Sequence, residues 1–327
     1  MTATVLIPTP QTRAQRVESA LFRGATLSMA NAAYRNAVRP LLDALLAADT
    51  SPRDVTVAAL QLPHKQATAD IVAREAGIAA GLEEFAFLLR ASQVAVFFSA
   101  KDGGAFNAGE VLARLEGEES RLLSVERVGL NLLQRMCGIA TAAHRVQSRV
   151  TRRNPEARLV ATRKTPCGWL DKRAAYLGGA GTHRIGLGDA ILIKNNHLAV
   201  LAHSEEQAAP IAVERAWKLR NESAFIEVEV RGVAAAVAAA TKFRSLREEG
   251  DKTYPCLLLL DNMQPQEIAR IIETLRGKNL YDNVLIEASG RITEANVEEY
   301  AAAGADAISV GALTHSARAL DLAQKIS

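Results

Sequence analysis

The chain has 327 residues, which at about 150 residues per domain suggests about two domains. Hydrophobic residues make up 49% and charged residues 23%, which excludes a disordered tail, a collagen-like fibre and a small disulfide scaffold. Lys and Arg number 39 against 36 Asp and Glu, a net charge of +3 that is too balanced to announce a nucleic-acid binder.

The opening segment, Met1 to Pro10, lacks the charged and apolar regions of a signal peptide. No apolar run approaches the ~20 residues that span a bilayer. Cys137, Cys167 and Cys256 are an odd number without C-x-x-C spacing, which favours a reducing compartment over a disulfide framework or a zinc ribbon. The expectation is a cytoplasmic protein with no membrane and no nucleic-acid partner. Up to about residue 125, helical patterns are interrupted by short apolar strands such as Val94–Ser99, which runs into the turn Lys101-Asp-Gly-Gly104. His64 stands alone and reads as structural. Residues Leu122 to Val150 read as one long helix, with Val128, Leu132, Leu133 and Met136 at helical spacing. On pattern alone its Arg127 is a solvated charge.

Beyond residue 155 strands alternate with helices. The strands are Arg158–Thr162, Ala190–Lys194, Phe225–Val230, Cys256–Asp261, Val284–Ala288 and Ala307–Val310. Helices fit Trp169–Gly178, Ser204–Asn221, Val233–Leu246, Gln264–Arg276 and Thr293–Ala303. Such a repeat means parallel strands with helical crossovers, covered on both faces, so that Cys256-Leu-Leu-Leu-Leu260 can be continuously apolar. Either a barrel or an open doubly wound sheet satisfies the pattern. Ionisable groups gather where the strands end: Arg163 and Lys164, Lys194, Glu227 and Glu229, Asp261, then Glu287-Ala-Ser-Gly290 and Gly311. In a barrel those ends converge on one rim, where active sites sit. A barrel with fewer strands than the complete form is therefore expected.

That rim would carry two kinds of charge. Arg163, Lys164, His183, Arg184 and Lys194 suit a polyanion, Arg as a fork and Lys as a point charge. Glu227, Glu229 and Asp261 could hold a hard cation such as Mg²⁺, bind sugar hydroxyls, or stabilise developing positive charge. Ser289, Gly290 and Gly311 lie in the last strand-to-helix loops, where backbone N–H groups can face a phosphate. The Gly178-Gly-Ala-Gly181 loop could cradle phosphate or act as a lid, but it is not a dinucleotide fingerprint. Singly, each feature reads better as a solvated face, a salt-bridge partner or a turn; their joint placement at strand ends favours function. His144, His203 and His315 have no ligand spacing, and Cys167 lacks a base to make it a nucleophile.

The segments Ala161-Thr-Arg-Lys-Thr-Pro166, Gly179-Ala-Gly-Thr-His-Arg184 and Ile193-Lys-Asn-Asn-His197 resemble the quinolinate phosphoribosyltransferase family. Similar landmarks are Ile226-Glu-Val-Glu-Val230, Leu259-Leu-Asp-Asn262, Glu287-Ala-Ser-Gly290, Ile308-Ser-Val-Gly-Ala-Leu-Thr314, Asp54-Val-Thr56, Asp102-Gly103 and Glu126-Arg-Val-Gly-Leu-Asn131. The resemblance covers nearly the whole chain. It implies an N-terminal α/β sandwich domain over residues 1–137 and an incomplete α/β barrel over 138–313, with a C-terminal helix at about 314–327 packing on the first domain. It implies transfer of phosphoribosyl from phosphoribosyl pyrophosphate to quinolinate with loss of CO₂, with Mg²⁺ as cofactor. It also implies a homodimer, open to further assembly, in which Arg127 serves the partner's site. The resemblance assigns quinolinate to Arg163, Lys164, His183, Arg184 and Lys194, and ribose and Mg²⁺ to Glu229 and Asp261. It assigns the 5-phosphate to Ser289, Gly290 and Gly311, and the catalytic roles to Glu229, Asp261, Lys164 and Lys194.

The chain departs from the family pattern in places. Asn195 stands where Asp is frequent, Ala180 interrupts a glycine loop, and Cys167-Gly-Trp169 replaces a common Thr-Pro-Gly continuation. The charged stretch from Lys242 to Thr253 reads as a surface insertion. Rival readings are a related transferase acting on nicotinate or serving a molybdenum operon, an aldolase with Lys194 as Schiff-base lysine, and a phosphometabolite sensor without turnover.

Overall fold

A computed structural model describes residues 11–50, 53–62 and 65–327. Met1–Pro10 and His64, read above from sequence, lie outside the described residues. Contacts gather the chain into two compact units. The first holds the described part of Met1–Leu21 with Arg149–Arg158 and Gly186–Ser309; the second holds Phe22–Ser148, Leu159–Ile185 and Val310–Ser327. The boundary expected at residues 137 and 138 falls inside one helix, Glu119–Arg153.

In the first unit the strands Ile191–Ile193, Ile226–Val230, Cys256–Asp261, Leu285–Ser289 and Ala307–Ser309 pair in parallel in that order. The order never reverses, so there is no switch point of a doubly wound sheet. Arg158, which opens the strand Arg158–Val160, donates its N–H to the Asp306 carbonyl at 2.8 Å. Sequence-first thus meets sequence-last, as in a sheet curling toward a barrel. Register places Glu229 opposite Leu259, two residues before Asp261, and Asp261 opposite Ser289, so these residues gather at the same end of the sheet.

The crossover helices form for local reasons. Ser204 caps Glu205–Trp217 by accepting the Gln207 N–H (3.3 Å), with Glu205 and Glu206 in the first turn. Gln264 and Glu267 form a reciprocal capping box around Pro265–Gly277, whose Ile268, Ile271, Ile272 and Leu275 are buried at helical spacing. Helix Val233–Glu249 buries Ala235, Ala236, Ala239, Ala240 and Phe243. The stretch 242–253, read as a surface insertion, is helical in its first part and exposed from residue 248 to 253. Lys242 to Glu249 complete the helix, because Phe243 continues its apolar face and Lys242 reaches Glu214 at 3.0 Å. The expected helix Thr293–Ala303 is shorter, Val297–Ala302, because Thr293 donates its N–H to the Asn296 side chain (2.8 Å) and makes a turn instead. Asp306, 3% exposed, is clasped by the Arg13 guanidinium through two 2.5 Å bonds and accepts the Ile286 N–H at 2.7 Å.

The second unit contains an antiparallel sheet ordered Leu322–Ile326, Gln66–Ala73, Val111–Glu118, Ala95–Phe98. The C-terminal segment is therefore a strand rather than the helix expected at 314–327. Ala69 pairs with Ile326 and Ala73 with Leu322, and this long-range ladder overrides the helix preference of Leu-Ala-Gln-Lys. Helix Leu82–Ala91 buries Leu82, Phe85, Leu88 and Leu89, and the long helix buries Leu122, Val125, Leu133 and Met136. Two family landmarks are structural. Asp54 caps helix Val55–Leu60, accepting from Thr56 and Val57. Asp102 accepts the Leu82 N–H (3.0 Å) and an Arg173 N–H (2.7 Å).

Candidate active site

The acidic strand Ile226–Val230 is buried along its length, which takes Glu229 down to 7% exposure. Burial and the neighbouring Asp261 charge push the Glu229 carboxyl above its ordinary range. Arg231, 3.6 Å away, together with Lys194 and the Asn195 backbone N–H, pulls it the other way. Asp261 ends the next strand, half-buried, and accepts from the Asn262 side-chain amide at 2.6 Å. Glu227, two residues earlier on the same strand and also a candidate from sequence, is fully buried.

Lys194 is exposed at the end of Ile191–Ile193, with extended backbone, and its N–H donates to His197 Nδ1 at 2.9 Å. That leaves its ammonium in the field of Glu229. The Asn195 backbone N–H bonds to Glu229, while its amide oxygen accepts from the Asn196 N–H at 2.8 Å.

Ser289 and Gly290 are half-buried where the next loop begins. Gly290 has φ +90°, and a Cβ there would lie 2.5 Å from Asn262 Oδ1 and 2.7 Å from its nitrogen. Asn262 N–H donates to the Ser289 carbonyl at 2.9 Å, so the two loops interlock. Asn262 (φ +56°) and Arg291 (φ +54°) both carry left-handed backbone beside this contact. Strain of this kind, about 1–3 kcal/mol each, persists where surroundings over-determine the backbone, and it gathers at functional sites.

The second unit holds the other cations. Arg163 and Lys164 are exposed, following strand Arg158–Val160. Lys172, 1% exposed, donates to the Ala161 carbonyl at 2.9 Å and to the Thr182 carbonyl, tying the bases of two cationic loops together. The second loop carries His183 (φ +52°) and Arg184, which are 6% and 9% exposed. Arg184 N–H donates to His183 Nδ1 at 2.8 Å, which makes Nδ1 the acceptor and puts the proton of the neutral ring on Nε2. Gly311 lies against this group; a Cβ there would sit 3.4 Å from Lys164 Cδ and 3.1 Å from the His315 ring. Arg127 projects from the long helix, 60% exposed and 3.8 Å from Glu126. Burial pushes the Cys167 thiol up, which keeps it protonated and fits its exclusion as a nucleophile.

Geometry thus groups Lys194, Glu229, Asp261, Ser289 and Gly290 within one unit. It groups Arg163, Lys164, His183, Arg184 and Gly311 within the other, with Arg127 on an exposed helix face. Sequence reasoning passed over Lys172, Asp171 and Arg173. Three consecutive charges in a nine-residue helix suggest a solvated face, yet all three are buried.

The quinolinate phosphoribosyl transferase family models match this chain, the N-terminal domain at residues 54–137 and the C-terminal domain at 139–325. A probable nicotinate-nucleotide pyrophosphorylase (carboxylating) of Methanothermobacter thermautotrophicus is 37% identical over 284 residues, covering 86% of this chain and 96% of the relative. The rat nicotinate-nucleotide pyrophosphorylase (carboxylating) is 32% identical over 265 residues, 80% of this chain and 82% of the relative. The solved nicotinate-nucleotide pyrophosphorylase of Francisella tularensis superposes with a TM-score of 0.75 at 28% identity, covering 89% of this chain and 96% of that one.

Proposed function

The chain belongs to the quinolinate phosphoribosyltransferase family, and we propose that its acidic pair and its cationic loops divide the family's reaction between them. The enzyme transfers phosphoribosyl from phosphoribosyl pyrophosphate to quinolinate with decarboxylation. It yields nicotinate mononucleotide, pyrophosphate and CO₂ in de novo NAD biosynthesis. The observation that carries the division is that Glu229 and Asp261, near the ends of adjacent strands, lie in one another's field together with Lys194.

As pyrophosphate leaves, the ribose carbon gains positive charge. Glu229, largely desolvated, and the half-buried Asp261 stabilise that charge from positions fixed by the sheet. Arg163, Lys164, His183, Arg184 and Lys194 supply the cations for the two carboxylates of quinolinate, whose nitrogen attacks that carbon. Attack makes the nitrogen cationic, and the neighbouring carboxylate can then leave as CO₂, its bonding electron pair staying on the ring carbon, stabilised beside N⁺, until that carbon takes a proton from solvent. Ser289, Gly290 and Gly311 take the 5-phosphate. Glu229 and Asp261 also fit Mg²⁺, since their oxygens are hard donors and Glu229 feels the negative charge of Asp261. Bound there, Mg²⁺ would neutralise charge on the pyrophosphate.

The exposed Arg127 supports a homodimer in which each chain lends this arginine to its partner. Cys137, Cys167 and Cys256 are all free, which supports a cytoplasmic setting. No helix among the described residues is long and apolar enough to cross a membrane. The test is an assay with phosphoribosyl pyrophosphate and either quinolinate or nicotinate, following pyrophosphate and CO₂. Quinolinate should turn over with CO₂ release and nicotinate poorly, because a site built for two carboxylates leaves cations unpaired when one is missing. Equal turnover of nicotinate would overturn the proposal.

A further inference from the structure

Behind Arg163 and Lys164, within the second unit, lies a closed hydrogen-bond ring that the reaction as described does not use. Arg135, on the long helix, donates through Nε to Asp171 Oδ1 (2.8 Å) and through Nη2 to Asp171 Oδ2 (2.7 Å). The same Nη2 donates to the Thr314 carbonyl at 3.0 Å. Thr314 Oγ1 donates to the Lys164 carbonyl at 2.8 Å. Thr165 Oγ1 closes the ring by donating to Asp171 Oδ2. The Asp171 side chain is 0% exposed and Thr314 is fully buried, whereas Arg163 and Lys164 stand in solvent.

A buried ion pair is seldom better for stability than apolar packing of the same volume, because desolvation offsets the attraction. What this pair does supply is direction. It converges on the backbone of Lys164 and the side chain of Thr165, on either side of one peptide bond. It also fixes the turn Ala312–His315, whose preceding residue Gly311 leaves room for the Lys164 stem. The loop carrying two exposed cations is thereby held at fixed points that lead back to the fully buried Asp171 and Thr314, through Arg135, whose side chain is 28% exposed.

We propose that Asp171, Arg135 and Thr314 are positioning residues that preset Arg163 and Lys164 for quinolinate. The proposal rests on the reading that those two cations bind quinolinate. Asp171 orients Arg135, Arg135 holds the Thr314 carbonyl, and Thr314 Oγ1 fixes the Lys164 carbonyl. The cations are then presented without the entropy loss of ordering a free loop when substrate arrives.

Asp171→Asn would leave the part-buried Arg135 without its counter-charge and risks a folding failure. The decisive pair is therefore Thr314→Val, which keeps shape and deletes the hydroxyl, and Thr314→Ser, which keeps the hydroxyl. Steady-state constants for both substrates are measured on these variants and on Lys164→Ala. Thr314→Val should lower kcat/KM for quinolinate about tenfold while the KM for phosphoribosyl pyrophosphate stays within about twofold. Thr314→Ser should recover most of the loss. If Lys164→Ala is impaired but Thr314→Val matches wild type, the positioning role is wrong. Equal impairment in Thr314→Val and Thr314→Ser would also overturn it, since packing rather than the hydroxyl would then matter. A wild-type Lys164→Ala would instead remove the reading beneath it, and the proposal with it.

Discussion

Replacing Glu229 by Gln should slow the enzyme and make it more heat-resistant at neutral pH. Gln keeps the volume and one acceptor oxygen for the Asn195 N–H, so the change isolates charge. A unit charge about 5 Å from a developing cation, at an effective dielectric of about 20, contributes about 3 kcal/mol. That corresponds to the loss of about 10²–10³ in kcat typical of removing one electrostatic stabiliser. Stability should move the opposite way. The Glu229 pKa is raised in the fold, first by burial and then by Asp261, so the folded state prefers the protonated acid. Its contribution is fully present below the unfolded-state pKa and is lost as pH rises through the folded pKa. At pH 7–8 the native state carries an unfavourable charge that Gln removes, and Tm should rise by about 1–3 °C. Near pH 4 the gain should shrink. The assays are single-turnover kcat with saturating substrates and calorimetric melting across pH 4–8. A wild-type kcat would show that the carboxylate is structural. A lower Tm at pH 7–8 with recovery in acid would refute the burial argument.

Gly290→Ala places a Cβ 2.5 Å from Asn262 Oδ1 on backbone with φ +90°, so it should raise the KM for phosphoribosyl pyrophosphate several-fold and lower Tm, readable by kinetics and melting. Asp306→Ala leaves Arg13 without its buried partner and the Ile286 N–H without an acceptor; denaturant unfolding should show a loss of about 3–5 kcal/mol. Arg127→Ala and Glu229→Ala should each be nearly inactive. Subunit exchange between the two should restore about a quarter of wild-type activity, because about half the dimers are mixed and each has one sound site. Exchange confirmed by mass with no recovery would place Arg127 in its own chain's site or outside the reaction.

The fold was legible wherever its cause was local. Strand–helix alternation, the capping signals at Ser204 and Gln264, and the long helix are written in periodicity and end residues. The parallel strands came out within a residue or two because burial on both faces leaves continuous apolar runs such as Cys256–Leu260. The candidate residues were legible for a related reason. A parallel sheet brings all its strand ends to one side, so charges written far apart in sequence, Lys194, Glu229 and Asp261, gather at one end of the sheet, within reach of one another's fields.

Only tertiary structure decided the rest. Leu322–Ile326 has helix-forming residues, but a sheet edge at Gln66–Ala73 offers it a ladder, and no local signal announces a partner some 250 positions away. The 242–253 stretch reads as solvated until Phe243 finds the sheet. Asp171, Lys172 and Arg173 are the sharpest case. Sequence shows only three adjacent charges, and charges are rarely buried unless paired. Their partners, Arg135, the Ala161 carbonyl and Glu84, come from separate segments of the chain. Pattern reads which residues want to leave water; which charges can afford to follow them depends on partners that only the folded chain brings near.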